Sequence, residues 1–394
     1  MGLASEVFGS HPPRPGRLFG KVEQLSSLAR GRFGLSRHIP AQEVGVEGVA
    51  IEALDPPLPP VARIFNGQDA VSRADLIFAA RSQLALADLP DQFDAVNWTG
   101  PFPIKAAKSP NIYTLHDLIP LQYPFFVEGK LGRSARLHAA IAQEADHIFT
   151  VSETSKRHIV DMLDVAPDRV SVTYQPVPSL PEMAQSDAER LVETIYGAEP
   201  GKYALFLGAI EPKKNLKRLI EAFAISGVDM PLLLAGPLGW MYDDDLSLIN
   251  RISSPNMSIR LLGFLPRRHV VALMRCARIF VFPSIYEGFG LPVLEAMQIG
   301  TPVLTSRVGP LQEVAGEAAV LVDPMEVDEI ANGIRKLDGD LDLREEFSRR
   351  GPAQAAKFSE EAYAENLAEA YAKVGVTLSK PVPANPNKDG AASE

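Results

Sequence analysis

Short apolar runs separated by amphipathic stretches dominate the chain from residue 61 onward. Val61–Phe65, Phe93–Trp98, Asn111–Asp117, His147–Glu153 and Arg169–Gln175 are apolar or β-branched, and helical stretches such as Gly132–Asp146 and Ser155–Asp164 lie between several of them. Strands alternating with helices predict a mostly parallel sheet. The second half alternates more cleanly, with strands expected at Tyr203–Gly208, Pro231–Gly236, Ile259–Phe264, Ile279–Pro283, Pro302–Ser306 and Ala319–Val322. Leu216, Leu219, Ile220, Phe223 and Ala224 follow the spacing of a helix with one buried face. This half reads as a doubly wound α/β domain. Near the C-terminus Ser359 can cap a helix on which Tyr363, Leu367, Tyr371 and Val374 form one stripe. Such a stripe needs a surface to cover, and the seam between two domains is the expected one.

Proline placement sets the divisions, since 33 prolines exceed 29 glycines. Residues 1–60 are read as an irregular, proline-rich and basic segment, and 61–178 as a Rossmann-like N-terminal domain. Residues 179–200 follow as a linker, 201–357 as a second Rossmann-like domain, 358–378 as a crossover helix and 380–394 as a disordered tail.

Composition narrows the class. With 394 residues, 46% of them hydrophobic, the chain can build two large cores. Its longest apolar runs fall far short of the ~20 residues that cross a bilayer. A formal charge of −10 argues against nucleic acid as a partner. The lone Cys276 excludes an internal disulfide framework, and the start lacks a secretory signal, so a cytoplasmic location is expected. The basic stretch through Arg37 is read two ways: as a peripheral contact for anionic lipid at the membrane's inner face, or as a solvated tail.

The stretch Ser284-Ile-Tyr-Glu287-Gly288-Phe289-Gly290-Leu291-Pro292-Val293-Leu294-Glu295 carries the chemistry. A strand ending at Pro283 leads through a glycine-containing turn into a helix that tolerates Pro292 in its first turn. The amides of Phe289, Gly290 and Leu291, with the positive end of the helix dipole, make an anion site that suits a diphosphate. Glu287 and Glu295 flank it, and carboxylates beside a diphosphate are best used on neutral hydroxyls. A nucleotide sugar supplies these on both sides: ribose for Glu295, the transferred sugar for Glu287.

Two glutamates eight residues apart in this strand–loop–helix setting resemble the donor motif of retaining glycosyltransferase family 4. The likeness extends to Gly300-Thr-Pro-Val-Leu-Thr-Ser306, Leu311-Gln-Glu-Val314, Ala318-Ala-Val-Leu-Val-Asp-Pro324 and Phe206-Leu-Gly208-Ala-Ile-Glu-Pro-Lys213-Lys214-Asn215. It also takes in Leu234-Ala-Gly236, Gly263-Phe264, Tyr113-Thr-Leu-His116-Asp117 and Thr150-Val-Ser-Glu153, so that it spans residues 93 to 375. The resemblance implies a GT-B fold: two Rossmann-like domains facing a cleft, with a C-terminal helix crossing back. It implies that Lys214 contacts the diphosphate, Glu287 the donor sugar and Glu295 the ribose. The backbone of Gly263, Phe264 and Leu265 is placed near the base, and His116 opposite the reacting carbon. Many members carry an arginine just after the position of Gly208; here Ala209 and Ile210 follow, and Lys213 is the expected substitute. Residues 1–60 show neither the opening strand nor the glycine-rich loop of the family, so an atypical or truncated N-terminus is expected.

The implied activity is metal-independent, retaining transfer of a hexose, mannose or rhamnose, from a nucleoside diphosphate sugar to a glycan or lipid-linked saccharide in surface-polysaccharide assembly. No separate cofactor is implied. Two other readings stay open: a sugar-nucleotide epimerase of the same fold, and an inactive donor-binding or scaffolding protein. Asp243-Asp244-Asp245 is read as an acidic helix start rather than a metal site.

Overall fold

The computed structural model describes residues 36–44, 64–67, 69–123, 125, 131–252 and 258–378. The first domain contains strands β1 (His38–Pro40), β2 (Gln42–Val44), β3 (Ile64–Asn66), β4 (Ala85–Asp88), β5 (Val96–Trp98), β6 (Ile104–Ala106), β7 (Asn111–Thr114), β8 (His147–Thr150) and β9 (Val170–Val172). They form a parallel sheet in the order β5-β7-β8-β9, a second in the order β1-β4-β6, and an antiparallel β2–β3 pair. Helices α1 (Ala70–Arg81), α2 (Ile119–Gln122), α3 (Leu131–Glu144) and α4 (Glu153–Leu163) accompany them. Ser152 caps α4 by accepting from the Ser155 amide, as a serine at that position does.

Two divisions drawn from the sequence need correction. Within residues 1–60, read as irregular, β1 pairs in parallel with β4 and buries Ile39 among Ala74, Ile77, Ala85, Ala87 and Ile104. A three-residue strand ending at a proline, with its partner far downstream, leaves no local alternation to read. Residues 1–35 lie outside the described residues, as do 61–63 of the strand expected at Val61–Phe65. The stretch 179–200, read as a linker, contains α5 (Gln185–Tyr196), which buries Ala188, Val192 and Tyr196, one residue per turn on a single stripe. That spacing is a helix signal diluted by the polar residues between.

The second domain follows the expected pattern. Strands β10 (Ala204–Leu207), β11 (Leu232–Ala235), β12 (Ile259–Gly263), β13 (Ile279–Phe282), β14 (Val303–Ser306) and β15 (Ala319–Val322) form one parallel sheet in the order β12-β11-β10-β13-β14-β15. This is the 3-2-1-4-5-6 arrangement of a doubly wound nucleotide domain. Helices α6 (Leu216–Ser226), α7 (Asp243–Ile252), α8 (Arg267–Cys276), α9 (Leu291–Ile299), α10 (Gly309–Ala315), α11 (Val327–Gly339) and α12 (Leu341–Ala355) complete it. Every residue of β13 is fully buried, as expected of a central strand covered on both faces.

Helix α13 (Glu360–Ala372) returns to the first domain. Its Leu367, Ala370 and Tyr371, with Val374 beyond its end, pack on Ile112 of β7 and Phe149 of β8, and the Phe149 and Tyr371 rings meet edge to face at 5.2 Å. The tail 380–394, read as disordered, lies outside the described residues. Among the described residues no helix is long and apolar enough to cross a membrane.

This junction carries a pH dependence. His147 is buried, its Nε2 lies 2.9 Å from the Ser171 hydroxyl, and Lys373 donates to the same oxygen at 3.1 Å. Burial, then the positive charges of Lys373 and Arg169, push the imidazole from 6.5 to about 4. Between those values the unfolded chain binds a proton that the folded chain does not, so stability rises with pH across the window and is complete above its upper end. Urea melts should therefore show wild type losing about 2 kcal/mol more than His147→Gln on going from pH 7 to pH 4. Parallel curves would mean that His147 does not titrate as its burial requires.

Candidate active site

The loops that leave β10, β11 and β12 are tied together by their backbones. Gly208 donates to Ala235 O at 2.9 Å, Ile210 to Pro237 O at 2.9 Å, and Gly236 to Gly263 O at 2.8 Å. The packing is so close that a Cβ at Gly236 would lie 2.0 Å from the Gly208 carbonyl oxygen, and its φ of +147° also favours glycine. Because β10 sits between β11 and β13, the loops on its two sides diverge there and open a crevice at the carboxyl ends of the strands.

From β10 the chain turns through Pro212–Lys214 to Asn215, which adopts a left-handed conformation with φ 62°. The buried Asn215 amide donates to Pro283 O at 2.9 Å and to Pro324 O at 2.6 Å, fixing the two lysines against the loop after β13. Lys214 Nζ donates to Glu287 Oε1 at 2.6 Å and lies 4.9 Å from the centroid of the Phe282 ring. Lys213 Nζ stands 3.9 Å from Glu287 Oε2 and 3.4 Å from Glu211 Oε1. Burial works to lower the Lys213 pKa, but Glu287, Glu211 and Asp117 outweigh it and hold the ammonium above its usual value. Glu287 is only 8% exposed, so its carboxylate needs this pairing. Gly208 borders the group, since a Cβ there would touch Lys214 Cε at 3.4 Å.

Helix α9 begins at this cluster. Gly290, with φ 124°, precedes it where a Cβ would meet Leu311 at 2.7 Å, so glycine is required. First-turn amides have no intrahelical acceptor, and α9 therefore offers donors and partial positive charge beside the lysines. The Phe289 ring is committed to the core, against Tyr174 at 6.2 Å and Phe358 at 5.6 Å, which leaves its backbone for a ligand. Leu291 and Leu265 likewise pack on the second-domain core, whereas Phe264 is 80% exposed beside Gly263. In α9, Glu295 is 7% exposed and holds Arg267 in a two-point contact, Nη1 to Oε2 at 3.0 Å and Nη2 to Oε1 at 2.8 Å.

The first domain closes the crevice with His116 and Asp117. His116 Nε2 lies 3.3 Å from Thr99 O. Asp117 accepts from the Ile119 amide at 2.9 Å, and its other oxygen sits where a Cβ on Gly288 would come within 2.6 Å. Gly288 is thus small because the first domain's carboxylate approaches it. Burial raises the Asp117 pKa, opposed by the Ile119 amide, Lys213 and His116. Nearby, Ser152 Oγ approaches Gly288 O at 3.4 Å and the Tyr286 hydroxyl meets His158 Nδ1 at 2.9 Å. Glu313 of α10 reaches across to accept from the Glu153 amide at 2.8 Å and the Tyr174 hydroxyl at 2.7 Å. Its second oxygen lies 3.3 Å from the Thr154 amide.

Lys213, Lys214, Gly208, Glu287 and the start of α9 therefore converge, and Gly288 brings Asp117, with His116 beside it, to their edge. Glu295 and the Gly263–Leu265 loop belong to the adjoining part of the second domain. The sequence reading missed Arg267, Asp117 and Glu313 as working residues. Arg267 had left a signal: Arg267, Arg268 and His269 open α8 with no acid in its first turn, against the helix dipole, so a positive charge there calls for a partner outside the helix. Arg267→Ala leaves Glu295 buried and unpaired. It should lower stability by about 1 kcal/mol in urea melts and weaken nucleotide binding, whereas an unchanged melt would make the pair incidental.

The sequence matches the family model described as Glycosyl transferases group 1 over residues 193–354 and that described as Glycosyltransferase Family 4 over residues 34–179. It is 34% identical over 304 residues to O-antigen chain mannosyltransferase B of Escherichia coli, covering 75% of this chain and 78% of that protein. To the serotype-specific mannosyltransferase WbdA of Escherichia coli it is 31% identical over 261 residues, 62% of this chain and 31% of the relative, so it spans about a third of WbdA. Among solved structures, Anabaena HepE in complex with UDP aligns with a TM-score of 0.57 at 21% identity, over 67% of this chain and 72% of that one. Sucrose-phosphate synthase of Thermosynechococcus elongatus aligns with a TM-score of 0.60 at 20% identity, over 77% of each chain. These likenesses establish a GT-B architecture of two Rossmann-like domains.

Proposed function

The chain belongs to glycosyltransferase family 4, and we propose that it moves a mannosyl residue from a nucleoside diphosphate sugar to a glycan or lipid-linked saccharide in surface-polysaccharide synthesis. The convergence of Lys213, Lys214 and Glu287 at the start of α9, facing His116 and Asp117, carries this reading. The mannosyltransferase relatives favour mannose over rhamnose.

In the proposed reaction the diphosphate lies between the two lysines and the α9 amides. An ammonium has three N–H donors, so Lys214 can keep Glu287 and still serve a phosphate oxygen. Glu287 accepts from hydroxyls of the transferred sugar, and Glu295 from the ribose. As the bond between the anomeric carbon and the phosphate oxygen breaks, charge grows on the departing diphosphate. The preplaced ammonium groups and helix terminus stabilise that charge, and we assign them the role that a metal would otherwise fill. The acceptor oxygen bonds to the anomeric carbon from the face that the diphosphate leaves, and its proton passes to a phosphate oxygen, so configuration is retained. We place the protein in the cytoplasm, at the inner membrane face when its acceptor is lipid-linked.

A thermal-shift panel of UDP-, GDP-, ADP- and dTDP-sugars tests the donor site, since a ligand that binds only the folded state raises Tm by mass action. One sugar nucleotide should raise Tm by several degrees in wild type and much less in Glu295→Ala. No shift from any of the four would sink the transferase reading, and conversion of the donor without an acceptor would favour an epimerase.

A further inference from the structure

The loop that carries Glu287 is tied to both domains. Within the second domain the Ile285 amide donates to Lys213 O at 2.9 Å, and the Ser306 hydroxyl donates to Ser284 O at 2.6 Å. From the first domain α4 reaches the residues on either side of Glu287. His158 Nδ1 lies 2.9 Å from the Tyr286 hydroxyl, and Ser152, which caps α4, approaches Gly288 O at 3.4 Å. Tyr286 is only 4% exposed, so its ring is fixed by packing. The ring centroid stands 5.1 Å from that of Tyr123, which follows α2, and 6.0 Å from that of the His158 imidazole. Gly309 at the start of α10 leaves it room, since a Cβ there would meet the ring at 3.5 Å. Burial raises the Tyr286 pKa and lowers that of His158, so near neutral pH a single proton lies between two uncharged groups.

We propose that Tyr286 and His158 are positioning residues for Glu287: through their hydrogen bond the first domain sets where this carboxylate of the second domain stands. The effect on rate rests on the transferase reading; the effect on the loop does not. Two lysines draw the Glu287 side chain toward the loop after β10, with Lys214 at 2.6 Å and Lys213 at 3.9 Å. The residues before and after it, Tyr286 and Gly288, are held toward α4. These pulls oppose each other, and the carboxylate rests between them. Without the Tyr286 tie it settles onto the lysines and away from the transferred sugar, and a misplacement of about 1 Å can cost about 10²-fold in rate. In the proposed reaction the nucleotide is held by the lysines, the α9 amides and Glu295, so donor affinity is largely independent of this bond.

Hydrogen exchange and kinetics on the full chain test this together. Exchange over residues 286–290 should quicken at least fivefold in Tyr286→Phe and in His158→Ala, and stay unchanged over β13. With a saturating donor each variant should lose about tenfold in kcat while the donor KM stays within twofold of wild type. The double variant should lose no more than either alone, as expected of two residues that share one bond. His158→Asn, whose amide reaches the place of Nδ1, should recover most of that loss. Tyr286→Phe introduced into Glu287→Gln should cost nothing further, because the tie acts through that carboxylate. Tyr286→Phe keeps the packed ring, and a single cooperative melt verifies that it folds. Unchanged exchange in both variants, kcat within twofold of wild type, or an equal loss in the Glu287→Gln background would overturn the proposal. Absence of transfer by wild type is a separate result: it removes the transferase reading, while exchange over 286–290 still decides whether Tyr286 and His158 hold the loop.

Discussion

Glu287→Gln is expected to lower the rate of sugar transfer about 10³-fold while leaving a folded protein that still responds to nucleotide. The substitution keeps the shape of the side chain and removes its charge. Lys214, now held at 2.6 Å, and Lys213, at 3.9 Å, then lose the anion that fixes them, and the donor sugar loses a charged acceptor for its hydroxyls. A loss of that size corresponds to about 4 kcal/mol of transition-state stabilisation, typical of removing one preorganised electrostatic group. The measurement is kcat with a saturating donor, beside a melting curve with and without nucleotide. A kcat within fivefold of wild type would reduce Glu287 to a structural partner for the lysines.

The second large effect falls on stability. Gly236→Ala should cost about 3–5 kcal/mol and lower Tm by roughly 10 °C, because its methyl group would sit 2.0 Å from one backbone atom and 2.6 Å from another, both of Gly208. Backbone cannot rotate aside as a side chain can, so the β10 loop must move, and that loop carries both lysines. Gly227→Ala is the control. Its φ of +68° is also strained for alanine, but nothing lies within 4 Å of its Cβ, so about 1 kcal/mol is expected. If both variants melt alike, the close contact between the two loops is not what requires Gly236.

These contrasts show which parts of the molecule were legible in sequence. Strands such as Ile279–Phe282 and Leu232–Ala235 are buried on both faces, so each is a continuous apolar run that needs no partner to be recognised. In the first domain β1, β4 and β6 have three or four residues each, and what makes them strands is pairing across distant parts of the chain, as when His38 meets Leu86. Helix α5 was hidden in a polar stretch because only Ala188, Val192 and Tyr196 are fully buried, with Leu191 partly so. Within the site, the two glutamates and Lys214 were legible because their spacing follows one strand–loop–helix unit. Arg267, Asp117 and Glu313 were not, because each meets its partner on another element, and the latter two meet theirs on another domain.

Glu313 has a consequence for engineering. A carboxylate from the second domain supplies the acceptor for amides that open a helix of the first, so the N-terminus of α4 is completed by a residue outside its own fold unit. The two halves are therefore not interchangeable cassettes. A chimaera that grafts this nucleotide-side half onto another acceptor-side half inherits a half-buried carboxylate whose amide partners are a helix start in the right register. Swaps that preserve the Glu313 to Glu153–Thr154 match should yield folded hybrids, and swaps that break it should yield halves that fold but do not dock.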